Sequence, residues 1–109
     1  MNNGILSTIG QTPLVPLKKL YKASPFRIYG KMEMFNPGAS IKDRPAFKMI
    51  CKALEEGKLR LNDTIIESSS GNMAIGLAQV CRSPPITCLL QPVPAVPSWD
   101  VQTMCVNII

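Results

Sequence analysis

Asn36-Pro37-Gly38 limits the course of this chain more than any other feature. Proline fixes φ and glycine admits φ > 0, so the backbone must turn sharply there. Before the turn, Arg27 to Phe35 alternates, with Ile28, Gly30, Met32 and Met34 on one face and Tyr29, Lys31, Glu33 and Phe35 on the other, which predicts a strand. After it, Phe47, Ile50, Cys51 and Leu54 recur at i, i+3, i+4 and i+7. That spacing predicts an amphipathic helix from Ala46 to Glu56, which Gly57 can terminate. Ser40 or Asp43 is the expected N-cap. Pro45 favours Asp43, because a proline so close to the helix start lacks only an N–H that has no helical partner anyway.

The same order then repeats. Thr64-Ile65-Ile66-Glu67 is a short β-branched run, Ser68-Ser69-Ser70-Gly71-Asn72 is a polar loop, and Ala74, Leu77, Ala78 and Cys81 take helical spacing. Ile86 to Gln91 offers a third strand. Alternation of strand, loop and helix predicts an α/β fold with a parallel βαβαβ sheet, whose ligands would sit at the carboxyl ends of its strands, where both loops fall. Residues 1–25 read as an extended arm, since Thr12-Pro13 and Val15-Pro16 exclude a long helix. Residues 26–91 read as a small α/β domain, and 92–109 as an irregular tail in which Pro92, Pro94 and Pro97 exclude a regular helix or central strand. From 83 onward there is no glycine and one charged residue, Asp100, which suggests a chain drifted or shifted out of its ancestral reading frame.

Lys42 lies where the first turn meets its helix. The unpaired N–H groups and the dipole of a helix start disfavour a second positive charge, so a lysine there is expected to give up its proton more readily. A neutral amine suits imine formation with an aldehyde cofactor. Equally, Lys42 is one of 12 Lys and Arg residues in a chain of net charge +5, and spacing alone leaves it as part of a solvated basic face. The serine-rich loop at the start of the second helix is a generic anion site, or an N-cap cluster with no ligand.

With 109 residues, 46% hydrophobic and 17% charged, the chain is globular in composition, with no apolar run long enough to span a membrane. No secretory signal is visible at Met1-Asn2-Asn3-Gly4-Ile5-Leu6, so a cytoplasmic location is expected. The basic residues are scattered with few aromatics among them, which argues against nucleic acid. Cys51, Cys81, Cys88 and Cys105 lack C-x-x-C spacing and the chain has no histidine, so they read as reduced, mostly buried thiols and no metal site is expected.

Asn36-Pro37-Gly38-Ala39-Ser40-Ile41-Lys42-Asp43-Arg44 resembles the N-P-x-G-S-[IV]-K-D-R lysine motif of the cysteine synthase and cystathionine β-synthase family, the fold-type II pyridoxal-phosphate enzymes. Ile9-Gly10-Gln11-Thr12-Pro13-Leu14-Val15 resembles its opening I-G-x-T-P-L-V, and Glu67 to Asn72 its E-x-[TS]-S-G-N loop. Three motifs in family order make a chance match improbable. The resemblance implies part of a tryptophan synthase β-like fold and pyridoxal 5'-phosphate as cofactor. By the same resemblance, Lys42 is Schiff-base residue and general base, Asn72 hydrogen-bonds the pyridine ring hydroxyl, and Ser69, Ser70, Gly71 and Met73 surround the substrate carboxylate. The implied reaction replaces the β-substituent of an O-activated serine with a sulfur or amine nucleophile, in a dimer that needs neither nucleic acid nor membrane.

Three positions depart from the family pattern: Ala39 and Ala74 stand where glycine is usual, and Met73 where many cysteine synthases carry threonine. Ala39 would be strained if its position needs φ > 0. Through Ala46 the run looks closest to the branch that makes N-(2-amino-2-carboxyethyl)-L-glutamate from O-phosphoserine. The likeness covers residues 8 to 82, about the first quarter of a family member. The phosphate-binding loop and the group facing the pyridine nitrogen would then lie in a C-terminal domain outside this chain, leaving an exposed face and little or no activity alone. A small non-catalytic α/β module that binds an anion or a partner through the same loops is the alternative.

Overall fold

The computed structural model describes residues 4–20, 22, 25–69, 71–82 and 84–91. Ser70, Cys105 and the Pro-rich tail over 92–109 lie outside the described residues. The elements are β1 (Leu14–Pro16), β2 (Tyr29–Lys31), α1 (Asp43–Glu55), β3 (Thr64–Ser68), α2 (Asn72–Cys81) and β4 (Thr87–Gln91), with single 3-10 turns at Gly4–Thr8, Lys18–Leu20 and Glu33–Phe35.

The second half follows the expected pattern. β3 and β4 pair in parallel, with Ile65 opposite Cys88, Ile66 opposite Leu89 and Glu67 opposite Leu90, and α2 connects them. Ile65 and Cys88 pack against the core and Leu90 is buried, while Ile66 and Leu89 face outward. Side chains alternate across a strand, so one residue parity of this sheet is covered and the other is open.

The first half differs. The expected strand over Arg27 to Phe35 stops at Lys31, because Glu33–Phe35 winds into a 3-10 turn closed by bonds from Phe35 N to Met32 O and from Asn36 N to Glu33 O. Among the described residues β2 does not join β3: it pairs antiparallel with β1, so the parallel sheet is β3-β4 rather than a three-stranded βαβαβ unit. The extended geometry that Pro13 and Pro16 impose on the arm is what makes it available as that partner.

The core is the seam between the helices. Ala46 and Ile50 of α1 meet Leu77, Val80 and Cys81 of α2, and Leu6, Leu59 and Ile86 close the ends. The buried stripe of α1 centres on Asp43, Ala46 and Ile50, one position round from the expected stripe. Phe47 and Leu54 pack at its margin and Cys51 is only partly covered. Small residues at the crossing explain the rotation. A Cβ on Gly76 would lie 3.1 Å from Ala46 Cβ, so α2 approaches closest over Ala46. Gly57 ends α1 as expected, with φ +67°, its N–H donating to Leu54 O and that of Lys58 to Ala53 O, a Schellman pair. No described helix is long and apolar enough to cross a membrane.

Candidate active site around Lys42

Glu33 joins two of the sequence motifs. Its Oε2 accepts from Arg44 Nε at 2.7 Å and Asn36 Nδ2 at 2.8 Å, and its Oε1 accepts from Arg44 Nη2 at 2.8 Å and Thr12 Oγ1 at 3.0 Å. Arg44 Nη2 also donates to Gly10 O at 3.0 Å, and Gly10 N donates to Asn36 Oδ1 at 2.8 Å. Gly10 has φ +85°, and a Cβ there would lie 2.7 Å from Arg44 Nη1, so both its conformation and its space require glycine. The Arg44 hydrogen bond is the main cause that holds the Glu33 carboxyl down at about 2, against the opposing effect of burial and with help from Asn36 and Thr12. The same bond raises Arg44. Glu33 is therefore an anion throughout the neutral range.

That frame fixes the loop carrying Lys42. Asn36 is buried and its Nδ2 also donates to Ser40 O at 3.0 Å. Asp43 is fully buried; its Oδ2 accepts from Gly38 N, while Oδ1 has no partner among the described residues. A Cβ on Gly38 would fall on that carboxylate, so a side chain at 38 is excluded. Ala39 takes φ 57°, the left-handed conformation that glycine adopts freely. The N-cap is Lys42 itself, not Ser40 or Asp43, and it makes no side-chain cap. Both expected caps are engaged elsewhere: Ser40 Oγ accepts from Lys42 N at 3.1 Å, and Asp43 turns back to Gly38. Pro45 still falls in the first turn, where its missing N–H has no helical partner. The outcome is an exposed Lys42 whose amine has no hydrogen-bond or ion-pair partner among the described residues.

The second loop lies beside it. Gly71 caps α2, its N–H 3.4 Å from Ser69 Oγ, and Asn72 is the exposed first residue of the helix. The N–H groups of Asn72 and Met73 have no helical acceptor by position. Met73's side chain packs against the core, so at this helix start Met73 offers its backbone rather than its side chain. A Cβ on Gly76 would lie 3.2 Å from Lys42 O, which places the Lys42 backbone directly against α2. Asn72 is one turn before Gly76 on the same face, about 6 Å along the axis at 1.5 Å per residue. The Lys42 backbone thus lies against the face of α2 that carries Gly76 and, one turn earlier, Asn72, with Ser69 and Gly71 just ahead of that helix in the chain.

Glu33 escaped sequence reasoning. It occupies an ordinary polar position in an alternating run, and its partners Thr12 and Arg44 are 21 and 11 residues away. Its position three residues before Asn36 is the one local signal.

The family model described as pyridoxal-phosphate dependent enzyme matches residues 5–104. N-(2-amino-2-carboxyethyl)-L-glutamate synthase of Ralstonia nicotianae is 53% identical over 78 residues, which cover 72% of this chain and 23% of that protein. Cysteine synthase 1 of Neurospora crassa is 46% identical over 80 residues, covering 73% of this chain and 21% of that protein. The crystal structure of O-ureido-L-serine synthase superposes with a TM-score of 0.73 at 38% identity, over 87% of this chain and 30% of that one. The chain thus spans about a quarter of the length of the curated relatives it matches, at their N-terminal portion. With the lysine loop, the Ser-Gly-Asn loop and this match in agreement, the chain belongs to the pyridoxal-phosphate-dependent enzymes of the cysteine synthase-like, fold-type II group.

Proposed function

We propose that the chain furnishes the lysine side of the active site of an enzyme that replaces the β-substituent of an O-activated serine with a sulfur or amine nucleophile. The observation that carries this reading is the exposed Lys42 amine, without a partner among the described residues, on a loop that Arg44 ties to Gly10 and Glu33 ties to Thr12, beside the open start of α2. The donor set suits one side of pyridoxal phosphate: a primary amine for covalent attachment, a side-chain amide for the ring hydroxyl, and outward N–H groups for a carboxylate.

When bound, the cofactor supplies the electron withdrawal that makes the substrate's α-proton acidic and its β-substituent a leaving group. Lys42 Nζ is the amine that would attach the cofactor, and once free it would serve as the general base for the substrate's α-proton. Asn72, exposed at the first position of α2, would offer its side-chain amide to the cofactor's ring hydroxyl. Ser69, Ser70, Gly71 and the Met73 N–H hold the substrate carboxylate, an anion at a helix N-terminus.

The test is to add pyridoxal phosphate, reduce with borohydride and locate the pyridoxyl group by mass. Label concentrated on Lys42, lost in Lys42→Ala and kept in Lys58→Ala, is the expected result. Label spread over several lysines, or equal loss in both variants, overturns the assignment and favours a non-catalytic module.

A further inference from the structure

Cys81 and Cys88 take no part in the site around Lys42, yet the fold brings their sulfurs together. Cys81 is the last residue of α2 and Cys88 the second of β4. The turn between them is closed by Ile86 N, which donates to Cys81 O at 3.3 Å. From Ile86 the strand runs back along α2, and residues two apart on a strand point to the same side. Ile86 is buried in the core and Cys88 packs against that core, so Cys88 is turned inward, toward the helix end that carries Cys81. The two thiols are near enough that each acts directly on the other. Their access to solvent differs: Cys81 is 2% exposed, whereas Cys88 is half-buried.

We propose that Cys81 and Cys88 form an oxidation site, at which a peroxide joins the two sulfurs as a disulfide and ties the end of α2 to β4. Cys88 Sγ, the sulfur that solvent reaches, takes one peroxide oxygen as the O–O bond breaks, which gives a sulfenic acid and one water. Cys81 Sγ then forms the S–S bond to Cys88, and the sulfenic oxygen leaves with the Cys81 proton as a second water. The pair gives up two hydrogens and two electrons, and those electrons reduce the peroxide. Burial keeps both thiols protonated near neutral pH, so either one alone reacts slowly. The second step is favoured because its partner is already in place, which makes it intramolecular. A reducing dithiol reverses the link by exchange, entering at the half-buried Cys88.

The experiment treats the dilute native chain with hydrogen peroxide at pH 8, blocks the remaining thiols in denaturant, and digests with trypsin, which cuts after Arg82, between the two cysteines. The expected product is one link joining the peptide that ends at Arg82 to the peptide that begins at Ser83, opened again by dithiothreitol. Cys105 shares the second peptide, so persistence of the link in Cys105→Ser assigns it to Cys88. Cys51→Ser should also keep it, and Cys88→Ser should abolish it. Cys81 is buried and Cys81→Ser can unfold the chain, so the half-buried Cys88 carries the test, with circular dichroism confirming the fold of the variant. The linked chain should melt about 5 °C or more above the reduced one, because a link suited to the folded seam constrains only the unfolded chain. Loss of the link in Cys105→Ser, oxidation of Cys88 beyond the sulfenic acid with Cys81 still a free thiol, or a linked chain that melts lower than the reduced one overturns the proposal. Neither cysteine belongs to the Lys42 site, so this result and the Lys42 labelling can fail separately.

Discussion

Arg44 grips both carboxylate oxygens of Glu33, with Nε on Oε2 and Nη2 on Oε1, and thereby fastens the first turn of α1 to the turn that follows β2. Fork-to-fork pairing of this kind fixes orientation as well as distance. Because the folded chain holds the Glu33 carboxyl at about 2, against 4.5 ordinarily, its contribution to stability is complete above about 4.5 and lost as pH falls from there through about 2. An acid titration followed by circular dichroism should show a loss in that window that Glu33→Gln lacks. Arg44→Lys should not restore the wild-type profile, since an ammonium cannot make both bonds.

Ala39 holds φ 57° at a position where the resembling family usually has glycine. A left-handed residue with a Cβ costs about 1–2 kcal/mol, and the added unfolded-state freedom of glycine returns up to about 1 kcal/mol of that. The steric relief is the larger effect, so Ala39→Gly should stabilise by up to about 1 kcal/mol, raising the melting temperature by about 4–8 °C per kcal/mol. A lower melting temperature would show that the loop does not hold this conformation.

Gly76 sets how closely α2 approaches Lys42. A Cβ there meets Ala46 Cβ at 3.1 Å and Lys42 O at 3.2 Å, and the second contact is backbone that cannot rotate away. Alanine would gain about 1 kcal/mol in helix propensity, which competes with the clash. Gly76→Val adds bulk without that gain and should destabilise by about 1–3 kcal/mol. It should also lower the pyridoxyl label on Lys42, because the loop and α2 can no longer seat together; full labelling in Gly76→Val would separate the two.

Local chemistry carried the legible part of this molecule. The turn at Asn36-Pro37-Gly38, the Schellman end at Gly57, and both helices follow from residues within a few positions of one another. What the sequence left hidden depends on partners far away along the chain. Glu33 reads as a surface acid until Thr12 and Arg44 are brought to it, and β2 reads as a member of the parallel sheet until the Pro-bounded Leu14–Pro16 segment is seen beside it. The N-cap was misplaced by two to one residues for a similar reason: Asp43 has the right chemistry for a cap, but the space vacated by the missing side chain of Gly38 gives its carboxylate a different donor.

Cys81 and Cys88 face each other across the seam between α2 and β4. Burial raises both thiols, with Cys88 adding to the effect on Cys81, which is pushed up to about 12 from 9.0. A raised thiol is neutral in the folded chain while the unfolded chain has already ionised, so the unfolded state binds fewer protons and stability declines as pH rises from about 9 towards about 12. Cys81→Ser, with a hydroxyl that does not ionise in this range, should flatten that decline in a melting-temperature series even though its baseline stability is lower. Native-state alkylation at pH 8 should leave Cys81 unmodified until denaturant is added. Alkylation of Cys81 in the native chain as fast as in denaturant would mean that the seam opens freely and that the thiol is not held in the core.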